Sequence, residues 1–281
     1  MFCDAATARA VPAIGFEARP EVQLKGITGM LAHESLGRRR THDDSTGALI
    51  GREAEHARLL ALLDAAQATP ERSSVVLVEG EAGIGKSHLC QAFVRAAADR
   101  GLRVASGASD PLDNSAAYRP LRRVFDHLLG MEQEHARAAR RARVLALLGD
   151  DGPARERASL LSGVLDLDLP PTLTEQQMSG RGRIEATTDL LVQLLLATHT
   201  GSVRVLLLED LQWLDSASWS VLENAVRRCP GLLLLLSSRP LDAGAVFEAP
   251  LQDLGATRLQ LHPLGEAAVH DIIAAELGAR S

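Results

Sequence analysis

Val75-Val-Leu-Val-Glu-Gly-Glu-Ala-Gly-Ile-Gly-Lys-Ser87 is the stretch from which the rest of the chain is read. The aliphatic run Val75–Val78 closes on Glu79, and a run of this kind fits a short strand buried on both faces of a parallel sheet. Gly80-Glu81-Ala82-Gly83-Ile84-Gly85-Lys86-Ser87 follows at once and matches G-x-x-x-x-G-K-[ST]. The glycines let the backbone fold tightly, so that its N–H groups converge on phosphate oxygens. The helix expected from Ser87 to Asp99 points its positive end at the same anion. In such a loop Lys86 bridges the β- and γ-phosphates of ATP and the Ser87 hydroxyl ligates Mg²⁺.

Lysine usage supports this. Arginine carries nearly all the positive charge, and the only lysines are Lys25 and Lys86. A chain that otherwise uses arginine keeps a compact ammonium where one must reach between phosphates.

Outward from the loop, Arg52–Gln67 has a helical leucine face, with Glu53 and Glu55 in its first turn. Further strands are expected at Leu102–Ser106, Val203–Leu208, Leu232–Ser237 and Arg258–Leu261. Helices are expected around Arg119–Leu129, Glu132–Leu148, Arg155–Leu165, Gly182–Thr198, Ser216–Cys229 and from Gly265 to Leu277. The order β-α-β-(helices)-β-α-β-β-α predicts an α/β P-loop NTPase. Its mainly parallel five-stranded sheet is sandwiched by helices, with an inserted helical segment.

A phosphate loop needs acids nearby, and Leu206-Leu-Leu-Glu-Asp210 supplies an apolar strand ending in two carboxylates. Ligands of open α/β sheets sit at the carboxyl ends of the strands, so Glu209 and Asp210 emerge beside the phosphates. Glu209 is read as the metal-side acid and Asp210 as the acid that polarises water; the two roles are interchangeable at this level. Ser237-Ser-Arg-Pro240 ends the next strand and brings Arg239 to the same rim as a γ-phosphate sensor.

Composition narrows the remaining classes. The 281 residues are 46% hydrophobic but only 3% aromatic, so the core is built from Leu, Val and Ala. A net charge of −6 argues against a dedicated nucleic-acid binder, and no direct nucleic-acid binding is expected. The clusters Arg38–Arg40 and Arg137, Arg140, Arg141, Arg143 read as a linker and a solvated helix face. Cys3, Cys90 and Cys229 suggest neither a disulfide framework nor a metal site, which fits the cytoplasm. Cys90 is expected to be a small buried hydrophobe. The longest aliphatic runs, Val205–Leu208 and Leu232–Leu236, are strand-sized, whereas a membrane span needs about 20 apolar residues.

Four segments together resemble the AAA-type ATPase domain of the STAND class of signalling NTPases, as found in large bacterial LuxR-type regulators and adenylate-cyclase-linked multidomain proteins. They are Leu49-Ile-Gly-Arg-Glu53, the phosphate loop, Leu206–Asp215 with its Leu211-Gln-Trp-Leu-Asp215 string, and Ser237–Pro240. His262-Pro-Leu-Gly-Glu266 looks like the family's passage into a helical lid. The resemblance implies adenine contacts at Ile50, Gly51 and Arg52, and a nucleotide-binding set running from Gly80 through Ser87 to His88. It implies catalysis by Lys86, Glu209, Asp210 and Arg239, with Mg²⁺ at Ser87, Glu209 and Asp210. It further implies an ATP-driven switch with slow hydrolysis, nucleotide-dependent self-association, and effector or sensor domains outside this chain. Gly15–Gly29 resembles the closing strands of a class III nucleotide cyclase domain, with Lys25 in an L-K-G turn.

The organisation expected is a cyclase-domain remnant at 1–36, a linker at 37–48, the P-loop ATPase core at 49–262 and the start of a truncated helical lid at 263–281. A small-molecule kinase and a non-hydrolysing ATP-binding interaction fragment are the competing readings.

Overall fold

The computed structural model of the chain describes residues 49–110, 117–149, 152–199, 201–241 and 245–278. It also describes short strands at Phe2–Cys3, Ile14–Ala18, Val22–Leu24, Ile27–Met30 and His33–Arg38. The chain divides into two compact units, Met1–Ala48 and Leu49–Ser281.

In the first unit, His33–Arg38 lies between Phe2–Cys3 and Ile14–Ala18, antiparallel to both, and Val22–Leu24 pairs antiparallel with Ile27–Met30. The Lys25 turn and the arginines at 39 and 40 fall outside the described residues. Strand His33–Arg38 takes in Gly37 and Arg38, which the polar composition assigns to the linker.

The second unit is a parallel sheet of β1 (Ser74–Glu79), β2 (Arg103–Ala108), β3 (Arg204–Glu209), β4 (Leu232–Ser238) and β5 (Thr257–Gln260). Its order is β5-β1-β4-β3-β2, and every neighbouring pair is parallel. The apolar runs divide between two cores because successive side chains point to opposite faces. Val76, Val78, Val205, Leu207, Leu233, Leu235 and Leu259 face α1 (Glu53–Ala68) and α2 (Lys86–Asp99), against Leu59, Leu63, Leu89 and Phe93. Val75, Leu77, Leu206, Leu208, Leu234 and Leu236 face the other way. There they meet α3 (Arg119–Leu129), α8 (Gly180–Ala197) and α9 (Ser216–Arg228). Aliphatic runs without polar alternation are what two covered faces demand.

Between β2 and β3 lies the inserted helical segment. Besides α3 and α8 it contains α4 (Arg137–Leu148), α5 (Pro153–Glu156), α6 (Ser162–Leu165) and α7 (Leu173–Gln177). Two expectations change here. The single helix expected at Arg155–Leu165 is broken into α5, a 3-10 turn at Ala158–Leu161 and α6, which Asp166 ends in a left-handed conformation. Arg140 is not on a solvated face but is buried, with 5% of its surface exposed. Its guanidinium donates to the carbonyls of Leu165 (3.0 and 2.9 Å), Met131 (3.2 Å) and Glu134 (3.3 Å) and pairs with Asp126. The five-donor fork suits such a role, because loose carbonyls at helix ends need partners.

Beyond β4 the chain forms α10 (Glu248–Asp253), crosses to β5, and ends its described course in α11 (Glu266–Gly278). α10 is absent from the sequence-based order. It lies in the crossover that lets β5 join β1 in parallel, since a tight turn cannot connect parallel strands.

Candidate functional site

The sheet register aligns the strand tips. Glu79 lies opposite Ser238 and Ala108 opposite Glu209, so the residues after β1, β3 and β4 emerge at one edge. The Ser109 N–H donates to the Glu209 carbonyl at 3.0 Å and the Gly80 N–H to the Ser238 carbonyl at 3.2 Å, which carries the alignment past the strands.

The loop Gly80–Ser87 hangs from the end of β1 and runs into α2. Gly83 and Gly85 hold φ of +79° and +99°, values that favour glycine. A Cβ added at either would meet nothing within 4 Å, so both glycines face open space of the kind an anion could enter. Gly80 is glycine for another reason: a Cβ there would come within 2.8 Å of Ile84 and 3.2 Å of Leu261. Lys86, only 8% exposed, donates through Nζ to the carbonyls of Gly80 (2.6 Å) and Glu81 (2.9 Å). Burial pulls its pKa below the usual lysine range, Asp210 opposes that shift, and Arg239 adds to it. All three groups therefore share one electrostatic neighbourhood.

Glu209 ends β3 and is buried to 3% exposure. Following Val205 and Leu207 in the strand alternation, its side chain falls on the α2 side of the sheet, and its charge adds to the burial that pushes the Cys90 thiol up. Cys90 is a fully buried neutral thiol, as its place on an apolar helix face leads one to expect. Asp210 adopts φ 60°, ψ 49°, a left-handed conformation rare outside glycine but tolerated by aspartate. Such strain persists where neighbours over-determine it.

Those neighbours include a residue that sequence reasoning missed. The turn Leu211–Trp213 folds Gln212 back over the strand tips, where Nε2 donates to Asp210 Oδ1 at 3.1 Å. Its Oε1 accepts from Ser238 Oγ at 3.1 Å and from the Arg239 N–H at 3.2 Å. The Arg239 side chain is exposed at the rim. Asp215, the last residue of the Leu211–Asp215 string, caps α9, accepting from the Ser218 N–H at 2.8 Å. Glu79 ties the rim from below, accepting from the Leu241 N–H (3.3 Å) and from Arg258 (3.4 Å), which also pairs with Glu248.

On the other side of the loop, Arg52 is 5% exposed. It donates to the carbonyls of Ile84 (3.1 Å) and His262 (2.7 Å) and to Glu55 (2.7 Å). It thus braces the phosphate loop and the segment leading to α11. Gly51, at φ +73°, packs so closely that a Cβ would come within 2.6 Å of Ala268 on α11. Ile50 is half-buried beside it, and His88 half-buried on the first turn of α2.

The residues fit a magnesium–nucleotide pair in a particular way. No cluster of three or more His, Cys, Asp or Glu side chains able to hold a metal occurs among the described residues. Mg²⁺ bound through one hydroxyl, one or two carboxylates, phosphate oxygens and water needs no such cage. Ser87, Glu209 and Asp210 are the donors of that kind at this edge. No described helix is long and apolar enough to cross a membrane.

Phosphate loop, parallel sheet and acidic strand tip together define a P-loop NTPase fold carrying a nucleotide-binding loop. The AAA ATPase domain family matches residues 48–236, and the chain belongs to that family. Among solved structures it is similar to Cdc6p from Pyrobaculum aerophilum, at TM-score 0.51 and 16% identity over 84% of this chain and 52% of that one. It also matches the Aeropyrum pernix ORC1 protein in complex with DNA, at TM-score 0.48 and 16% identity over 84% and 52% of the two chains. AMPPCP-bound DnaA from Aquifex aeolicus matches at TM-score 0.41 and 16% identity, over 82% and 51%. At such identity the likeness to Cdc6p concerns the fold alone. The chain spans about half the length of each of these proteins. No curated protein matches it.

Proposed function

We propose that this domain binds Mg-ATP and hydrolyses it slowly, as the regulatory ATPase module of a signal-transduction or transcription-regulatory protein of the STAND type. The observation that carries the proposal is an open, glycine-lined loop containing Lys86 at the sheet edge to which the register also brings the strand ends bearing Asp210 and Arg239.

In this proposal the N–H groups of Gly80–Ser87 and the N-terminus of α2 hold the phosphates, with His88 on the first turn behind them. Lys86 exchanges its carbonyl partners for β- and γ-phosphate oxygens. Ser87 and Glu209, with Asp210 beside them, would hold Mg²⁺, whose chemistry there would be electrostatic stabilisation of phosphate charge. Asp210 orients the attacking water and accepts its proton, and Arg239 stabilises charge on the γ-phosphate oxygens. Ile50 and Gly51 border the adenine, while Arg52 braces their position against Ile84 and His262. That bracing also supports the switch reading: one guanidinium links the phosphate loop to the segment leading into α11, so a nucleotide that moves the loop biases the helix.

No direct nucleic-acid contact is part of the proposal, in keeping with the net charge of −6. Salt-sensitive retention of the chain on DNA would contradict that. The ATPase itself is tested by phosphate release from Mg-ATP with no acceptor added. Turnover reduced to a small residual rate in Asp210→Asn supports it, whereas turnover that requires an added acceptor points to a kinase. Binding with wild-type turnover no higher than the Asp210→Asn background reduces the domain to a nucleotide-binding module.

A further inference from the structure

Gln212 is half-buried, outside the phosphate loop, and carries no charge, yet it contacts both sides of the rim. Its orientation follows from its partners. The Arg239 backbone N–H can only donate, so the atom facing it at 3.2 Å must be the amide oxygen. The Ser238 hydroxyl donates to the same oxygen at 3.1 Å. The amide nitrogen is thereby left to face Asp210 Oδ1 at 3.1 Å, and an ionised carboxylate only accepts. One planar group therefore connects the acid after β3 to the backbone from which Arg239 springs. Neither a hydroxyl nor a carboxylate has that donor–acceptor division at that length.

The surroundings leave this amide little latitude. Ser238 is wholly buried at the end of β4. The turn carrying Gln212 is closed by hydrogen bonds from the Trp213 N–H to the Asp210 carbonyl (2.9 Å) and from the Leu214 N–H to the Leu211 carbonyl (3.0 Å). Asp210 itself sits in a left-handed conformation, so its carboxylate direction is set by contacts instead of by strand geometry. The strand order sets the tip of β4, which leads into Arg239, beside the phosphate loop after β1, with the tip of β3 and Asp210 next to it.

We infer that Gln212 is a positioning residue for ATP hydrolysis: its amide fixes the Asp210 carboxylate relative to the Arg239 turn, so that the two groups address the γ-phosphate together. This rests on the ATPase reading above. Gln212 touches no reacting atom in this scheme and acts through Asp210 and Arg239.

Two variants test it in the full chain. Gln212→Met keeps the length and removes both polar ends, while Gln212→Glu keeps the acceptor but sets a carboxylate against Asp210. Both are expected to bind ADP within about twofold of wild type and to lose about 10- to 100-fold in kcat, the range for a lost hydrogen bond to a charged group. In an Asp210→Ala background, Gln212→Met should cost little more of the residual rate, because the acceptor that its amide nitrogen holds is already gone. A second readout does not depend on turnover. In a Trp219→Phe background the fluorescence of Trp213 should distinguish Mg-ATP from Mg-ADP, and Gln212→Met should abolish the difference. Unchanged kcat in Gln212→Met, or an undiminished loss in the Asp210→Ala background, overturns the inference and leaves the ATPase reading standing. If wild type binds Mg-ATP without hydrolysing it, the ATPase reading and this inference both fall. A Mg-ATP versus Mg-ADP difference retained by Gln212→Met likewise overturns the inference. Wild type that binds no Mg-ATP overturns both.

Discussion

Replacing Lys86 with alanine removes one ammonium that donates to the Gly80 and Glu81 carbonyls at 2.6 and 2.9 Å. Two opposing effects meet in the folded protein. The carbonyls lose their donors, but a desolvated charge whose pKa burial lowers is also removed. Glu81 is an exposed residue whose carbonyl can turn to water, so the net change in stability should stay within about 1 kcal/mol. Binding is different, because under the proposed function the ammonium would bridge β- and γ-phosphates with charge-assisted bonds of about 1.5–3 kcal/mol each. Loss of one or two such bonds predicts ATP affinity lower by about tenfold for one weak bond and by more than about a thousandfold for two strong ones, at 1.4 kcal/mol per factor of ten. AMP lacks both phosphates and supplies the internal control. Calorimetric titration of wild type and Lys86→Ala with ATP, ADP and AMP, with and without Mg²⁺, measures the effect. The expected result is a large loss for ATP, a smaller one for ADP and none for AMP. Equal ATP affinity in the two proteins, or an equal loss for AMP, would refute the assignment of Lys86 to the phosphates.

Gly51→Ala forces a Cβ to within 2.6 Å of Ala268 at a φ of +73°, and should loosen α11 with little effect on the sheet. Faster hydrogen exchange confined to Glu266–Gly278 would show it, and unchanged exchange there would argue against close packing of the two. Arg140→Met strands Asp126 and the carbonyls of Leu165 and Met131, and should cost about 2–4 kcal/mol in denaturant unfolding while ADP affinity stays unchanged. Leu235→Ala opens a cavity at a fully buried position on the α1–α2 face of the sheet, and should cost about 2–5 kcal/mol by the same measurement.

What can be read from sequence alone is what nearest neighbours dictate. Val75–Val78, Val205–Leu208 and Leu232–Leu236 announce buried parallel strands because an uninterrupted aliphatic run has nowhere else to go. Gly80–Ser87 announces its chemistry because left-handed glycines, an ammonium and a hydroxyl must all fall within one turn of chain. The helix Arg119–Leu129 was legible to the residue, its apolar positions recurring at helical spacing and Gly130 closing it in a left-handed conformation.

The tertiary structure decided what depends on partners far away in the chain. Periodicity carries no information about which strands are neighbours, so only the order β5-β1-β4-β3-β2 brings the tips of β3 and β4 beside the loop that follows β1. Arg140 looks like any other arginine in a chain full of them, and Arg52, singled out only by resemblance, carries no local sign of burial. Their burial follows from carbonyls donated by Leu165, Ile84 and His262, the last 210 residues from Arg52. Gln212 lay in plain view within Leu211–Asp215, but its meaning required Ser238 and Arg239 to arrive on its other side. Short-range steric and hydrophobic preferences thus chose the elements and the loop. Long-range pairing of backbone and buried polar groups, which no local window contains, assembled the rim around that loop.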